Sequence, residues 1–550
     1  MGKGWLIFAG IVALLCLCLV CAGGAAFLYW GGQNGGGFPD LRIPAITPAA
    51  SAQSSSSSAG TLRLIGGKPV TLDPALVEDT TSSEYVAKIF VGLVSLDNEL
   101  RVRPELAERW EVSPDGKTYT FYLRADARFQ DGRPVTAGDV KYSLERACDP
   151  QLGSNVAATY LGDIVGVRER LAGKAAEIAG IKVLDDRTVQ INIDAPKSYF
   201  LAKLTYSTGA VVDRKAVEAR SNWTDNPNGA GPYRLASRSD KEIVLRANEY
   251  YFRGKPAIAE VRFVVPAGDP MTMYETGELD AVPVGLDGLE RVQDPYNPLS
   301  AEVTQVSSLD VQYVALNTRV PPFDDVKVRQ AFAYASNRQA IINVLLKKSV
   351  REARGILPSG LPGYNENLKG INYDPDMARK LLKESRYGDA GKLPPIIFVT
   401  SAGNTEIAEA LAAMYEDVLG VKIDLQQTEW HFFLRDVNQG RYPMFALGWS
   451  ADYPDPQNFL DIQFHSDSEG NYSGYSNPQV DKLLEQARVE PDEAKRMALY
   501  QQAEAQIVSD APWIPLYHGI DYVLIKPYVK GLFITPQGMY NLEQARLESH

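Results

Sequence analysis

Histidine is scarce in this sequence of 550 residues, and the short motifs of common enzymes are missing. The histidines form no HExxH pair and no metal-binding spacing; they are His431, His465, His518 and His550. No GxSxG nucleophile elbow and no phosphate-binding P-loop occurs. The run 229–231 lacks the third glycine of a dinucleotide-binding loop and is followed by a proline instead of a helix start. The sequence therefore predicts neither an enzyme nor a cofactor.

Cysteine and excess positive charge are scarce as well. Cys16, Cys18 and Cys21 lie close to the N-terminus, and Cys148 is the only cysteine in the rest of the chain. An intramolecular disulfide in the body of the protein is therefore excluded. The formal net charge of −12 is opposite to the basic surface that binds phosphate chains, so no nucleic-acid partner is expected.

One long uncharged stretch lies near the N-terminus. Residues 5–30 contain no charged side chain and are long enough to cross a bilayer as a helix. Lys3 precedes this stretch, which favours an orientation with the bulk of the chain outside the cytoplasm. Small residues at 22–26 leave a cleaved signal peptide as the alternative, and the large residue before each N-terminal cysteine disfavours a lipid anchor. We predict a single uncleaved anchor in the cell membrane and an extracytoplasmic body, either periplasmic or extracellular.

The next segment separates this anchor from the body. Residues 31–60 are rich in glycine, proline and serine and contain nothing that could form a core, which predicts a disordered linker. The chain after residue 60 exceeds what one hydrophobic core usually supports, so more than one domain or lobe is expected.

The body begins with strands and continues as an α/β block. Alternating residues on both sides of 113–116 predict a hairpin, and a second hairpin is predicted over 181–193. One long helix is predicted over 324–346, and residues 395–426 predict a βαβ unit with parallel strands. A late strand at 513–517 indicates that the chain returns to an earlier sheet. This order predicts two lobes joined by more than one crossover, with a cleft and a hinge.

The stretch 443–456 combines a predicted buried strand with a carboxylate at its end. The run 443–451 is uncharged, and Pro454 and Pro456 cannot continue a central strand. Asp452 therefore lies where the strand stops, close to Trp449, which suits a site that holds a cation beside an apolar wall. The alternative is that Asp452 caps a turn and that Trp449 fills the core.

Several motifs in order resemble the extracytoplasmic solute-binding proteins of ABC importers, in particular the oligopeptide- and dipeptide-binding family. The likeness runs over residues 61–545 and is specific because its short motifs occur in the family's order. The motifs are Leu72-Asp73-Pro74, Val91-Gly92-Leu93, residues 104–110, 115–123 and 129–137, Asn228-Gly229-Ala230-Gly231-Pro232-Tyr233, Asn317 with residues 322–329, and Gly448-Trp449-Ser450-Ala451-Asp452-Tyr453.

The resemblance implies an α/β fold of two hinged lobes, like that of periplasmic binding proteins, with an extra subdomain on the first lobe. The first lobe is expected at residues 61–90, 216–308 and 516–550, its subdomain at 91–215, and the second lobe at 309–515. The implied function is that of a monomeric receptor that captures peptides in the cleft and delivers them to the permease subunits of an ABC transporter.

The resemblance also implies which residues contact the ligand. In this family the aspartate of the Gly-Trp-x-x-Asp-Tyr motif holds the ligand ammonium, and that position is Asp452. The other implied ligand-binding residues are Gly448, Trp449, Ser450, Trp430, Tyr517, Glu78, Asp79 and Thr80. An extended peptide held through its backbone would be bound with tolerance of its side chains.

The sequence departs from the family pattern at the opposite end of the ligand. Leu447 and Val437 stand where some members carry an arginine that holds the ligand carboxylate, and Arg435 or Arg441 could replace it. Ligand length therefore stays open. The alternative function is the same fold with a non-peptide solute such as a nickel complex, heme or an oligosaccharide. An anchored hydrolase or signalling receptor is less favoured because no nucleophile motif is present.

Overall fold

The computed structural model describes residues 60–402 and 405–549, which belong to one compact unit. The predicted anchor at residues 5–30, nearly all of the predicted linker at 31–60 and the three N-terminal cysteines lie outside these ranges. Within them, every helix is too short or too polar to span a bilayer.

The first sheet has seven strands and contains the beginning of the described chain. Thr61–Ile65 pairs in parallel with Glu260–Val264, while the other long strands are antiparallel to their neighbours. Leu62 and Leu64 are completely buried and pack with the helix Thr80–Ile89 in one hydrophobic core. In spatial order the strands are Val303–Ser307, Ile520–Ile525, Ala281–Pro283, Thr61–Ile65, Glu260–Val264, Glu242–Ala247 and Tyr233–Arg238.

A separate antiparallel sheet is formed by residues that follow the strand Thr61–Ile65 and precede the strand Tyr233–Arg238 of the first sheet. Its spatial order is Ala107–Val112, Thr118–Leu123, Thr188–Asn192 and Ile181–Asp185. Both predicted hairpins are present in it. It packs in its own core against the helix Ala137–Ala147, whose Thr136 and Asp139 form a capping box.

The second sheet has six strands and is covered on both faces. Its central strands, Asp310–Leu316 and Met444–Ser450, are antiparallel, with one hydrophobic core on either side. The predicted βαβ unit is confirmed, since Ile396–Ser401 and Ile423–Thr428 are parallel and flank the helix Glu406–Leu419. In spatial order the strands are Arg351–Glu352, Trp513–His518, Asp310–Leu316, Met444–Ser450, Ile396–Ser401 and Ile423–Thr428.

Short strands and the remaining helices complete the two lobes. The two-stranded ribbons are Val94–Leu96 with Val102–Pro104, Val529–Lys530 with Arg546–Leu547, and Phe533–Ile534 with Tyr540–Asn541. The remaining α-helices before residue 308 are Ala157–Leu161, Val167–Leu171, Phe200–Lys203, Arg214–Ala219, Pro270–Glu275 and Leu289–Gln293. The remaining α-helices after residue 308 are Val326–Ala335, Arg338–Ala340, Pro375–Glu384, Trp430–Asn438, Ile462–Phe464, Pro478–Val489 and Glu493–Asp510, with π-helical turns at Ile341–Leu345 and Gln457–Asp461.

The prediction of one continuous helix over 324–346 is wrong. The helix that Asp325 caps ends at Ala335, and Ser336 has extended backbone angles. The Ser336 hydroxyl hydrogen-bonds with the Phe332 carbonyl at 2.8 Å and with the Tyr415 hydroxyl at 3.0 Å. Asn337 then caps a new short helix. Ser336 thus bonds to the backbone carbonyl four residues earlier, and such local side-chain bonds compete with helix continuation, which favours a break at this residue.

Two adjacent crossovers join the lobes. The first runs from Ser307 to Asp310 and the second from His518 to Ile520. The Ser308 amide donates to the Gly519 carbonyl at 3.1 Å, and the Gly519 amide donates to Asp310 Oδ1 at 2.6 Å. The hinge therefore has its own hydrogen bonds.

The return to the first sheet occurs later than predicted. The strand Trp513–His518 stays in the second sheet, where it pairs with Asp310–Leu316. The following strand, Ile520–Ile525, returns to the first sheet. Residues 516–518, which the predicted boundary assigns to the first lobe, therefore belong to the second sheet.

Candidate ligand-binding site

A cavity of about 1660 Å³ lies between the lobes and is lined by both of them and by the extra subdomain. Such a volume exceeds the usual range for drug-sized ligands. All of the sequence-predicted site residues line it: Glu78, Asp79, Thr80, Trp430, Gly448, Trp449, Ser450, Asp452 and Tyr517.

The strand Met444–Ser450 brings the tryptophan motif to the cavity. Side chains alternate along it, so Phe445, Leu447 and Trp449 face one core while Ala446 and Gly448 face the other side. Gly448 lies opposite Gln312, and a Cβ on Gly448 would overlap the Gln312 side chain. The glycine thus leaves room for an amide on the cavity wall.

Asp452 is held at the end of this strand by one neighbouring side chain. Asn458 Nδ2 donates to Asp452 Oδ2 at 2.9 Å. Asn458 Oδ1 accepts from the Asp452 amide and from Trp449 Nε1, both at 3.1 Å. One asparagine therefore fixes both the carboxylate and the indole. The sequence prediction did not include Asn458.

The Asp452 carboxylate also receives a hydrogen bond from the other lobe. The Tyr160 hydroxyl of the subdomain donates to the same oxygen, Oδ2. Oδ1 accepts no hydrogen bond from the described residues, and no described lysine or arginine pairs with the carboxylate. Burial raises the pKa of Asp452 to about 6, because the charged form loses water. Tyr160 was missed by the sequence prediction.

Stacked tyrosines connect Asp452 with the segment 78–80. The rings of Tyr160 and Tyr206 are parallel with centroids 3.6 Å apart, and the Tyr206 hydroxyl donates to the Val77 carbonyl at 2.8 Å. Asp452 and the segment 78–80, which are far apart in the sequence, are thereby brought to one site. Tyrosines at 160 and 206 have no sequence motif that indicates this role.

The predicted residues of segment 78–80 differ in their contacts. Asp79 caps the helix Thr80–Ile89, since its side chain accepts from the Ser82 amide at 2.8 Å. Glu78 accepts from Asn155 Nδ2 at 2.8 Å. Asp79 therefore has a structural contact, whereas Glu78 leaves a carboxylate oxygen without a protein donor among the described residues.

Arg435 and Arg441 are the candidate residues for binding the carboxylate of a ligand. Arg435 lines the cavity, and its Nε lies 2.8 Å from Asp436. Arg441 pairs with the same aspartate at 2.8 Å and does not line the cavity. Val437 is buried in the core, and Leu447 is on the cavity wall. Trp430, 41% exposed, stacks on Phe433 beside them.

Among the described residues His431 lines the cavity, whereas His465, His518 and Cys148 do not. Within residues 60–402 and 405–549 no group of three or more metal-ligating side chains occurs. His518 lies at the hinge, where burial lowers its pKa to about 4 and its Nδ1 is 2.8 Å from the Asp310 carbonyl. Cys148 is buried in the subdomain, and burial raises its pKa to about 12.

Comparison with known proteins identifies the family. The model of the bacterial extracellular solute-binding proteins, family 5 Middle, matches residues 101–471, more than half of the chain. This chain belongs to that family. Within it, the periplasmic oligopeptide-binding protein OppA of Salmonella typhimurium is 32% identical over 489 residues, which cover 85% of this chain and 88% of the relative.

Solved structures of periplasmic binding proteins have the same two-lobed fold. The murein tripeptide-binding protein MppA of Escherichia coli superposes with a TM-score of 0.82 at 27% identity, covering 90% of this chain and 99% of that one. An unliganded open form of MppA gives 0.68 at 27% identity, with 90% and 98% covered. Haemophilus influenzae OppA in complex with the peptide RPPGFSPFR gives 0.80 at 26% identity, with 90% and 99% covered. The lobes of the present chain are therefore arranged differently from those of the open form.

Proposed function

We propose that this protein captures peptides in the cavity between its lobes and delivers them to the permease subunits of an ABC importer. The observation that carries the proposal is the free Oδ1 of Asp452. This oxygen belongs to a carboxylate on the cavity wall that has no basic partner among the described residues. An enclosed carboxylate favours a positively charged ligand group, and a peptide ammonium provides one.

The other predicted residues have roles that follow from their chemistry. Trp449, Trp430 and Tyr517 offer aromatic walls for ligand side chains. Gly448 and Ser450 lie at the end of a strand whose backbone, together with residues 78 and 79 before the helix Thr80–Ile89, can pair with the ligand backbone. Affinity from backbone hydrogen bonds permits many peptide sequences.

The proposal also includes the division of the chain into lobes and its attachment to the membrane. We place the first lobe at residues 61–90, 216–308 and 519–550, the subdomain at 91–215 and the second lobe at 309–518. Residues 5–30 tether the receptor to the membrane, and the body acts outside the cytoplasm as a monomer. The protein binds its solute without catalysis.

The test uses the full-length protein purified under native conditions. Mass spectrometry of the released ligand identifies what the cavity holds, and calorimetry compares a free-amine pentapeptide with its N-acetylated form. We expect released peptides and at least about tenfold weaker binding of the acetylated form, because acetylation removes the charge that pairs with Asp452.

Two results would contradict the proposal. Equal affinity for the free and acetylated peptides would remove Asp452 as the ammonium partner. A released heme, nickel complex or oligosaccharide, together with no measurable peptide binding, would assign the cavity to a non-peptide solute.

A further inference from the structure

The described lysine and arginine side chains on the cavity wall all have acidic partners, so none of them is left unpaired for a ligand anion. The pairs among the described residues are Lys88–Glu84 at 2.6 Å, Arg103–Glu543 at 2.6 Å, Arg253–Glu105 at 2.6 Å, Lys255–Glu249 at 3.1 Å and Arg435–Asp436 at 2.8 Å.

The acidic side chains on the same wall are not matched in this way. Asp97 pairs with Arg101 at 2.9 Å, and Asp79 caps a helix. Glu78, Glu469 and Asp452 line the cavity without a basic partner among the described residues. The unpaired charge on the wall is therefore negative, and it exceeds what one ligand ammonium neutralises.

Glu78 lies on the Asp452 side of the cavity. Val77, next to Glu78, accepts a hydrogen bond from Tyr206, which stacks on Tyr160, the donor to Asp452. Besides burial, the charges of Asp452 and Glu78 raise the pKa of Tyr206. Both carboxylates are therefore close to one phenol.

Residues next to Glu469 pack against residues next to Asp452. It precedes Gly470, whose Cα approaches the Ile462 side chain so closely that a Cβ there would lie 2.8 Å from Ile462 Cγ2. Ile462 packs in one apolar cluster with Tyr160 and Tyr453, next to Asp452.

An unpartnered hydroxyl and aromatic rings complete this part of the wall. Tyr313 lines the cavity and is 1% exposed, and its buried hydroxyl has no hydrogen-bond partner among the described residues. Tyr472 and Trp449 line the cavity as well. Aromatic faces attract lysine and arginine side chains.

We propose that the preferred ligand carries a second cation, a lysine or arginine side chain near its N-terminus, and that Glu78 and Glu469 bind it. This inference rests on the proposed peptide-binding function and adds the ligand class. Asp452 holds the ammonium, the two glutamates surround the basic side chain, and peptides with acidic residues at the same positions are disfavoured.

The experiment measures affinity of the full-length protein for pentapeptides of alanine that carry Lys, Gln or Glu at the first or the second position. We expect the better Lys peptide to bind about tenfold more tightly than its Gln counterpart, which is the value of a charge-assisted contact. The Glu peptide should bind more weakly than the Gln peptide. Higher ionic strength should reduce the preference.

Two variants assign the preference to the glutamates. In Glu78→Gln/Glu469→Gln the Lys and Gln peptides should bind within about twofold of each other. The control Glu108→Gln removes an exposed acid that does not line the cavity and should keep the native preference.

Equal affinity of native protein for the Lys and Gln peptides, or an unchanged preference in the double variant, would overturn the inference. Peptides that bind without preference contradict only the second cation, whereas no binding of any peptide contradicts the proposed function too.

Discussion

The Tyr160 hydroxyl of the subdomain donates a hydrogen bond to Asp452 Oδ2 of the second lobe, across the cleft between them. Asn458 donates to the same oxygen, which directs Oδ1 to other partners. Asp452, the candidate partner of the ligand ammonium, thus also joins the lobes. In the proposed function the same carboxylate contacts the facing lobe and binds the ligand ammonium.

Peptide affinity is expected to depend on pH through Asp452. Its pKa in the ligand-free protein is about 6 because of burial, while a bound ammonium stabilises the ionised form. Affinity should be constant above about pH 7 and fall up to about tenfold per unit as the pH decreases below about 6. Calorimetry of a free-amine peptide from pH 4.5 to 8 measures this, and an affinity that rises on acidification would contradict it.

Tyr160→Phe should move this pH dependence upward. After burial, which raises it, the hydrogen bond from Tyr160 is the next influence on the pKa of Asp452 and lowers it. Removal of the hydroxyl should therefore raise the pKa and move the midpoint of binding to higher pH. The control Tyr250→Phe changes a half-exposed tyrosine outside the cavity. Identical midpoints for the Tyr160 variant and the native protein would show that the bond does not act on Asp452.

Asp452→Asn keeps the shape of the side chain and removes its charge. We expect it to weaken binding of free-amine peptides by about 2–5 kcal/mol, since the ligand ammonium then lacks its partner. Binding of the N-acetylated peptide should change much less. Calorimetry at pH 7.5 gives both values, and an equal loss for the two peptides would indicate a general disturbance of the cavity instead of a lost ion pair.

The predictable parts of this protein are those written in local sequence. The hairpin across Ser113–Gly116 follows from its turn residues, and the βαβ unit follows from its alternating strand and helix patterns. Asp452 could be placed at the end of a strand because the prolines at 454 and 456 exclude its continuation. The ordered motifs then indicated the cavity residues.

The remaining parts depend on contacts between distant segments. Tyr160 and Asp452 are separated by 292 positions, and a lone tyrosine has no pattern that indicates its partner. The Ser336 hydroxyl at the helix break also hydrogen-bonds with Tyr415, which belongs to another helix, and no local pattern indicates this contact. The unpaired charge of the cavity wall can be determined only when the ion pairs are known, because the sequence alone does not distinguish a paired arginine from an unpaired one.

Glu504→Gln should stabilise the protein at alkaline pH. Glu504 is 1% exposed, its Oε1 accepts the amides of Ile356 and Leu357 at 2.8 and 2.9 Å, and burial raises its pKa to about 7. A raised folded-state pKa gives stability that is complete below the unfolded value and is lost as the pH rises through about 7. Glutamine keeps the acceptor without the charge, so it should recover up to about 3 kcal/mol at pH 8.5 and little at pH 4.

Denaturant unfolding of the native protein, Glu504→Gln and Glu366→Gln at both pH values tests this effect. Glu366 is an exposed acid, so its variant should follow the native protein. A Glu504→Gln variant that is less stable than the native protein at pH 8.5 would contradict the assignment.

Gly229→Ala should destabilise the first lobe without changing the Asp452 carboxylate. Gly229 lies against the end of the helix Thr80–Ile89, where a Cβ would overlap the Ile89 carbonyl oxygen, and this backbone atom cannot move aside. Overpacking of this kind costs about 1–3 kcal/mol. The control Gly268→Ala introduces a methyl group at a glycine with no atom within 4 Å of the new Cβ and should be nearly neutral. Unfolding midpoints in urea measure both changes. Equal midpoints for the two variants would show that the Asn-Gly-Ala-Gly-Pro-Tyr motif has room for a side chain and that its glycine is not required by packing.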